Sequence, residues 1–599
     1  MVEMKFENID ISIVTFNSIK WIDGFFESLS KQSYPTNLLN IYIVDNCSED
    51  QTVEGLQSIQ KKYKVEFGKI EIARLPNRGY GTGHNFNINK ATSKWILVTN
   101  IDVELEFDSL EIIISNAQND QECVASWEFR QKPYEHPKDY NPFTLETEWS
   151  SHACILFRST FLKSVGGYEE KIFMYGEDVE LSFRLRSNGY MLRYCPKAVC
   201  WHYCYENIDK PKSLQLLGAL KSNLFIRLRY GSLVNVIAWF PIFFGAVLVS
   251  KKYNLKLKEL TTLLRDGIAE SYYFKVQENL RSVKINFNRL DYTLKRDGYQ
   301  YKYKCSNYLS PLVSIITRTH VGREELLKQA FQSVLNQTYV DIEWIVIEDG
   351  SKDSEDFMKE AAKLLKTRYI STEKLGRSVA GNIGLEASNG EFCMFLDDDD
   401  MLYPEHVEIL VAELRNNLEI GAVYSTAYEV PSEILNLKPL QIKEAKKTVV
   451  YSQSFNRELL YTSNYLSIQS VLFRKNLYDL FGGFNTKLEY LEDWNLWTKY
   501  ALRCDFKFID KTTSMYRIPL KITERISRQK KIDAYLSIFC ELQNQMIKEF
   551  NPEFLIESQK TIIIKLKTLS KVLLKKMRNL RVLYPTYYMI RIKWAKYRK

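Results

Sequence analysis

Short, continuous apolar runs alternate along the chain with amphipathic stretches of helical length. In the first part of the chain the apolar runs cover 11–14, 41–44 and 95–98, and the amphipathic stretches include 19–32 and 51–63. Uninterrupted apolar runs of this kind are typical of strands buried on both faces of a parallel sheet. The alternation predicts a doubly wound α/β unit, in which ligands bind beyond the carboxyl ends of the strands.

The same pattern occurs a second time, with strands predicted at 313–316, 342–347 and 392–396 and a helix at 323–336. Four polar elements recur in the same order in both halves, which a chance arrangement does not produce. They are Thr15 and Asn17 with 317–319, Asp45 with Asp349, 100–102 with 397–400, and 177–178 with 492–493. We expect domains at 1–215 and 309–525, a helical, partly apolar linker at 216–308 and a helical basic tail at 526–599.

Bulk composition agrees with two domains in a reducing compartment. The 599 residues are 45% hydrophobic, enough to fill two cores. Residues 1–8 lead almost directly into the first strand, which predicts no export signal. The ten cysteines have no framework spacing, as is usual for a cytosolic chain.

The positive charge is concentrated at the carboxyl end. The net charge is +9, yet residues 560–599 hold thirteen Lys or Arg and no acid, so the rest of the chain is net negative. This distribution argues against nucleic-acid binding by the main part of the chain. It favours an electrostatic contact confined to the basic tail. Apolar residues at helical spacing within 561–599 favour an interfacial helix held by anionic lipid. A helix packed on the second domain is the alternative.

The run 234–250 is apolar almost throughout but has only 17 residues. A spanning helix needs about 20, and a span would also place the two domains on opposite sides of the membrane. A re-entrant or interfacial helix and a buried helix pair both remain open. We expect a cytoplasmic protein, peripherally associated with the cytoplasmic face of the membrane through the linker and tail.

Four consecutive acids, Asp397 to Asp400, end a hydrophobic strand. Such a concentration of like charge is costly unless a divalent cation neutralises it, although a solvated acidic loop is the alternative. Before this turn, and before its counterpart in the first half, glycine-containing loops lead into helices. Their backbone amides could approach a diphosphate, and Arg78 or Arg377 could neutralise it.

With these motifs, both halves resemble the GT-A catalytic domain of glycosyltransferase family 2, inverting enzymes that use nucleotide-activated sugars. The resemblance covers about 8–205 and 310–520. It implies that Asp45 and Asp349 accept hydrogen bonds from a pyrimidine or ribose, with helix capping as the alternative. The residues it implies for binding the nucleotide sugar are Thr15, Asn17, Asp45, Arg78, Gly79, Asn100, Thr317, Thr319, Asp349, Arg377, Asn382, Asp397 and Asp398.

The resemblance also implies metal ligands for Mn²⁺ or Mg²⁺ that bridge the two phosphates. In the second domain this ligand is Asp399. The first domain departs from the pattern with Asn100 in place of the first acid and is similar to the rhamnosyltransferase-like branch. There Asp102 and His202 are the expected ligands, with a buried structural histidine as the alternative. No histidine follows His406, so in the second domain Arg517 is the substitute candidate for the third metal or phosphate contact.

Inversion requires a carboxylate that deprotonates the acceptor hydroxyl. The resemblance assigns this role to Asp178 and Asp493, and gives Glu177 and Glu492 a role in orienting the acceptor. Acids in the first turn of a helix also favour the helix dipole without any catalysis. Near the second pair, Trp494 and Trp497 could offer an apolar face to a sugar ring, or belong to the core.

The combined expectation is an α/β protein with two tandem GT-A domains that acts as a bifunctional, metal-dependent inverting glycosyltransferase. Its partners would be UDP- or dTDP-sugars and a growing surface polysaccharide or lipid-linked glycan, and not nucleic acid. The resemblance suggests a deoxysugar such as rhamnose for the first domain and a hexose or N-acetylhexosamine for the second. Two rivals remain: only one domain is catalytic, more readily the second, with the other a glycan-binding platform, or the chain is a non-catalytic membrane adaptor.

Overall fold

The computed structural model of the chain describes residues 4–136, 138–203, 213–248, 250, 255–276, 296, 298, 301–303 and 310–550. The expected basic helix at 561–599 lies outside the described residues. Among the helices that are described, none is both long and apolar enough to cross a membrane. The eight cysteines in the described ranges are all free thiols.

The first domain is built on one eight-stranded sheet, as the apolar runs predict. Its order is β3-β2-β1-β4-β7-β6-β8-β5, and the first four strands are parallel. The strands are β1 Ile9–Thr15, β2 Leu39–Asp45, β3 Lys69–Arg74, β4 Trp95–Asn100, β5 Val103–Leu105, β6 Val124–Lys132, β7 Cys154–Arg158 and β8 Met191–His202. The helices are α1 Ile19–Ser30, α2 Thr52–Lys62, α3 Tyr80–Lys90, α4 Ser109–Asn119, α5 Ser159–Ser164 and α6 Glu177–Ser187.

Four helices follow the first domain: α7 Ser213–Tyr230, α8 Leu233–Ile237, α9 Trp239–Leu248 and α10 Leu257–Val276. The apolar run 234–250 therefore forms two short helices instead of one long one. Trp239 and Phe243 are buried in a cluster with side chains of α7 and α10. The opposite side of α8 and α9 stays exposed, so this segment combines a core face with an open apolar face.

The second domain repeats the first sheet strand for strand, in the order β11-β10-β9-β12-β17-β14-β18-β13, with β15 and β16 added on β14. Its strands are β9 Val313–His320, β10 Ile342–Asp349, β11 Lys366–Thr372, β12 Phe392–Phe395, β13 Met401–Leu402, β14 Ile420–Leu437, β15 Leu440–Glu444, β16 Thr448–Val449, β17 Val471–Arg474 and β18 Asp505–Pro519. Its helices are α11 Glu324–Leu335, α12 Glu355–Ala361, α13 Arg377–Glu386, α14 His406–Arg415, α15 Arg457–Thr462, α16 Lys475–Phe481, α17 Glu492–Ala501 and α18 Ile522–Phe550.

A buried ionic cluster joins the two domains. Arg296 lies between them, 2.9 Å from Glu135 of the first domain and 2.5 Å from Glu405 of the second, and is only 4% exposed. Its guanidinium also stacks on the rings of Tyr140 and Tyr403. Because a buried arginine must be paired, Arg296 fixes the loop that follows β6 against the segment that follows the second carboxylate turn.

Candidate active sites

In the first domain, the tips of β1 and β2 are held together by Asp45. This fully buried carboxylate accepts hydrogen bonds from Thr15 Oγ1 at 3.0 Å and from the backbone and hydroxyl of Ser48. Helix α2 begins only at Thr52, so Asp45 is not a helix N-cap. Asn17 lies exposed beside this pair, with its Oδ1 accepting the Glu49 N–H at 2.8 Å. The predicted residues of this sheet edge are therefore neighbours.

The strand register corrects two of the predicted positions in the second domain. Thr15 pairs with Asp45, whereas in the second sheet Thr319 pairs with Glu348. Thr317 lies two residues deeper, where its buried hydroxyl accepts the indole N–H of Trp344 at 2.9 Å. A shift of two residues leaves the alternation of a strand unchanged, so the two sequence patterns could be aligned in the wrong register.

Glu348, which the sequence pattern missed, occupies the place of Asp45. It is buried and accepts hydrogen bonds from Ser351, three residues later, and from the backbone of Ser354 at 3.0 Å. Asp349 instead accepts the N–H groups of Leu375 at 2.7 Å and Gly376 at 2.9 Å. The structure thus places Asp349 as a support for the glycine loop, one residue beyond the position assigned to it.

Both glycine loops end in a glycine that precedes the helix with a positive φ, 103° at Gly79 and 94° at Gly376. The next residue is Arg377 in the second domain but Tyr80 in the first. Arg78 lies before the turn with an exposed side chain, so it is not the counterpart of Arg377. The amide of Asn382, a predicted nucleotide ligand, bonds both the N–H and the carbonyl of Phe484, at 2.7 and 3.0 Å.

Three arginines neutralise the carboxylate turn of the second domain. Arg318 contacts Asp397 at 2.8 Å and Glu492 at 3.1 Å, and Arg377 reaches the same two acids at 3.1 Å. Arg323 binds Asp398 at 2.6 Å and Asp399 at 2.8 Å. Burial alone would raise the pKa of Asp397, but the two arginines hold it below its usual value.

The last two residues of this turn differ in accessibility. Asp399 has a 35% exposed side chain, whereas Asp400 is buried. Burial and the charges of Asp399 and Asp397 raise the pKa of Asp400 well above its usual value. Arg517, the predicted substitute for a histidine, lies at this turn and donates to the carbonyl of Asp399 at 2.8 Å.

In the first domain, the predicted ligands Asp102 and His202 come together. His202 Nε2 lies 3.5 Å from Asp102 Oδ1 and 3.4 Å from the Asn100 amide nitrogen. His202 Nδ1 lies 3.0 Å from Gln131 Oε1, an acceptor. With its proton on Nδ1, the histidine would turn the Nε2 lone pair towards Asp102. The Tyr80 hydroxyl lies 3.0 Å from Asn100 Oδ1 and 2.9 Å from the carbonyl oxygen of His152. Asp102 and His202 are thus neighbours, and their role as metal ligands stays a prediction.

The acid pairs open α6 and α17 after residues in the left-handed conformation, Gly176 and Leu491. Burial is the main cause that raises the pKa of both Asp178 and Asp493 to about 6. Burial and the charge of Asp178 raise the pKa of Glu177 to about 8. The two predicted bases therefore have the same place and the same direction of shift, although Lys138 acts on Asp178 whereas Arg377 and Arg318 act on Asp493.

The two tryptophans near the second pair belong to the core. Trp497 is fully buried, and Trp494 donates its indole N–H to the Leu460 carbonyl and packs on Phe539 of α18. Neither ring is therefore free to receive a sugar.

The two repeated sheets agree with a comparison to known families. The sequence profile described as glycosyl transferase family 2 matches residues 10–175 and again 314–481, more than half of the chain. The chain belongs to glycosyltransferase family 2. It carries two GT-A domains in tandem, joined by helices, and the family uses nucleotide-sugar donors.

Several curated members of glycosyltransferase family 2 are similar to this chain. An uncharacterised glycosyltransferase of Methanocaldococcus jannaschii is 29% identical over 238 residues, 38% of this chain and 78% of its own length. The chondroitin synthase of Pasteurella multocida is 22% identical over 84% of this chain, a stretch that must include both domains. The chondroitin synthase of Escherichia coli is 30% identical over 34% of this chain.

The matched stretches make up 49% of the Pasteurella synthase and 28% of the Escherichia coli synthase. This chain thus spans about half or less of the length of these two relatives. Among solved structures, a mannosyltransferase from Pyrobaculum calidifontis in complex with GDP-Man and Mn²⁺ aligns over 46% of this chain and 87% of its own, with 14% identity and a TM-score of 0.33.

Proposed function

We propose that this member of the family is a bifunctional inverting glycosyltransferase with catalytic domains at 1–215 and 309–525. It adds two sugars in successive steps to a growing surface polysaccharide or lipid-linked glycan. The observation that carries the proposal is the repeated aspartate: Asp178 and Asp493 lie half-buried in the first turn of equivalent helices, where burial raises the pKa of each to about 6. A base is most effective when its pKa lies near the working pH.

In each step the aspartate accepts the proton of an acceptor hydroxyl as that oxygen attacks the anomeric carbon. A new carbon–oxygen bond forms on one face of the sugar while the bond to the nucleoside diphosphate breaks on the other face. The configuration is therefore inverted, and the electron pair leaves with the diphosphate. In the second domain Asn464 holds the base, since its Nδ2 lies 3.2 Å from Asp493 Oδ2.

A divalent cation fits the first domain, where Asp102 and the Nε2 lone pair of His202 face each other. In the second domain we assign the role to Asp399, the exposed acid of the turn. Within the described ranges no three His, Cys, Asp or Glu side chains form a closed metal site. Diphosphate oxygens would supply the remaining ligands, as is common for Mg²⁺. When bound, the cation neutralises charge on the departing nucleoside diphosphate.

The donors we propose carry a pyrimidine nucleotide. Asp45 and Glu348 lie at the strand tips where a base or ribose would bind, and Phe16 beside Thr15 is 48% exposed and able to stack on a base. The proposed sugars, a deoxysugar such as rhamnose on thymidine diphosphate for the first domain and a uridine-linked hexose or N-acetylhexosamine for the second, are supported only by the resemblance of the motifs.

The main rival is a first domain that only binds glycans, because Asn100 replaces an acid. Its retained Asp102, His202 and Asp178 support catalysis instead, as does the alignment of a named synthase over both domains. Asp102→Ala and Asp399→Ala, each followed by mass spectrometry of the extended glycan, separate the two possibilities. We expect each substitution to stop a different sugar addition. The rival requires that Asp102→Ala leave every addition intact.

We also propose that the linker contacts a membrane surface. Leu233, Ile237, Phe240, Phe244 and Leu248 follow one another at helical spacing and are between 46% and 86% exposed. A stripe of this kind can lie in the interfacial region of a bilayer. Flotation with anionic vesicles tests this contact. We expect Phe240→Ser with Phe244→Ser to reduce binding, whereas equal binding of the wild type and the double variant would refute the linker contact.

A further inference from the structure

The two sites can be compared at four equivalent positions, of which three differ and one is the same. The strand register equates Val14 with Arg318 and Asn100 with Asp397. The loop geometry equates Tyr80 with Arg377, and the helix starts equate Glu177 with Glu492. Two cations and one anion of the second domain are thus replaced by neutral side chains in the first, while the glutamate is kept.

In the second domain the glutamate is paired with two arginines, both of which contact its Oε1. Glu492 lies 3.1 Å from both Arg318 and Arg377, and its side chain is 4% exposed. Arg318 is itself buried, with Phe395 and Phe484 near its guanidinium. Such an arrangement gives the buried carboxyl group two positive partners, as a buried acid requires.

In the first domain the same carboxyl group lacks these partners. Glu177 is 7% exposed, and among the residues that the structure describes its Oε2 has no hydrogen-bond partner. Val14 offers no donor, and Tyr80 donates to Asn100 and to the carbonyl of His152. A buried carboxyl group without a cation is more stable in its protonated form.

The charged and titratable groups around Glu177 favour the same form. Asp178, Tyr80 and Tyr168 interact with it, and ionisation of any of them opposes a second negative charge. The cation nearby is Lys138, which is engaged in a buried pair with Glu128 and acts on Asp178. Burial first and then Asp178 raise the pKa of Glu177 to about 8.

We propose that Glu177 is a substrate-binding residue of the first domain, which as a neutral carboxylic acid donates a hydrogen bond to a hydroxyl oxygen of an uncharged sugar ring. The inference rests on the proposed glycosyl transfer and deepens it. Glu492 is a structural anion that positions Arg318 and Arg377 and does not make this contact. The two domains therefore recognise sugars through different chemistry at one position.

The first test measures the protonation state in the full chain without any sugar. In the folded state the Glu177 carboxyl group keeps its proton up to about pH 8, whereas in the unfolded chain it loses the proton near pH 4.5. The folded state therefore becomes less stable as the pH rises between these two values. We expect the melting temperature of the wild type to fall more between about pH 5 and pH 8 than that of Glu177→Gln. Equal pH dependence of the two proteins would overturn the proposal. Glu492→Gln, as matched control, should lower the melting temperature at both pH values.

The second test measures binding of nucleotide sugar and of nucleoside diphosphate to the full chain by calorimetry. The sugar-dependent gain is the ratio of the affinity for the nucleotide sugar to the affinity for the nucleoside diphosphate. We expect Glu177→Leu to reduce this gain at one of the two sites by about tenfold or more, and Glu177→Gln to preserve it. An unchanged gain in Glu177→Leu overturns this inference while leaving glycosyl transfer in place. No binding of either ligand to the wild type would instead refute the proposed function, and this inference with it.

Discussion

Asn464 Nδ2 lies 3.2 Å from Asp493 Oδ2, and Asn464 Oδ1 accepts the N–H of Leu466 at 3.1 Å. The second bond fixes the orientation of the amide, so its donor must face the carboxylate. Asn464 is therefore a positioning residue for the proposed base of the second domain.

Replacing Asn464 by Leu should reduce the rate of the second domain's transfer by about tenfold to a hundredfold, because a hydrogen bond to a charged group contributes about 1.5–3 kcal/mol. The measurement is kcat and KM for each sugar addition, and we expect the loss mainly in kcat. Transfer by the first domain is the internal control. An unchanged kcat of the second domain would show that the amide does not position Asp493.

His202→Ala should weaken the apparent affinity of the first domain for Mn²⁺ during transfer. Loss of one of two protein ligands should raise the manganese concentration needed for half-maximal rate by about tenfold or more. Tyr516 occupies the place of His202 in the second sheet, as the pairing of β5 with β8 and of β13 with β18 shows, so Tyr516→Phe is the matched control. A manganese requirement equal to the wild type in His202→Ala would exclude the histidine as a ligand.

The rates of both transfers should fall as the pH drops below about 6, where burial causes Asp178 and Asp493 to take up a proton. If the aspartates had their ordinary pKa, the activity would instead be lost near pH 3.8. Profiles of kcat/KM for each addition between about pH 5 and pH 7 decide between these values. Rates that stay level down to about pH 5 would contradict the assignment of these aspartates.

Glu135→Gln should destabilise the contact between the domains by about 3–5 kcal/mol, because Lys511 and Arg296 would lose a buried counter-charge. Burial opposes ionisation of Glu135, but Lys511 and Arg296 hold its pKa well below the usual value. The wild type should therefore lose this stability as the pH falls below about 4.5, whereas the variant should lack it at neutral pH.

Urea denaturation of both proteins measures this effect. Glu27→Gln, which removes an exposed pair with Lys31, should leave the transition unchanged. A transition of Glu135→Gln that coincides with the wild type would show that the cluster does not hold the domains together.

The sequence predicts the fold well because both sheets depend on local apolar runs and on a repeated order of elements. The strands predicted at 11–14, 41–44 and 342–347 lie within β1, β2 and β10. The acids of the carboxylate turn were also predictable from their position after a strand, whereas the meeting of Asp102 with His202 was expected only from the resemblance to the family.

The register of the second sheet was not predictable in the same way. Thr317 and Thr319 both lie on the same face of β9, and only the pairing with β10 shows which one reaches the edge of the sheet. The partners of a side chain are equally hidden in the sequence. Nothing in the chain order reveals that Asn382 holds Phe484, or that Arg318 reaches Glu492 across 174 positions.

The most direct test of two catalytic domains compares Asp178→Asn and Asp493→Asn in the full chain, with nucleotide sugars, manganese and a glycan acceptor, by mass spectrometry of the products. Because each change removes a base and keeps the shape of the side chain, we expect each variant to lose a different one of two sugar additions by about a hundredfold or more. If both variants still make both additions at the wild-type rate, these aspartates are not the bases and the account is wrong.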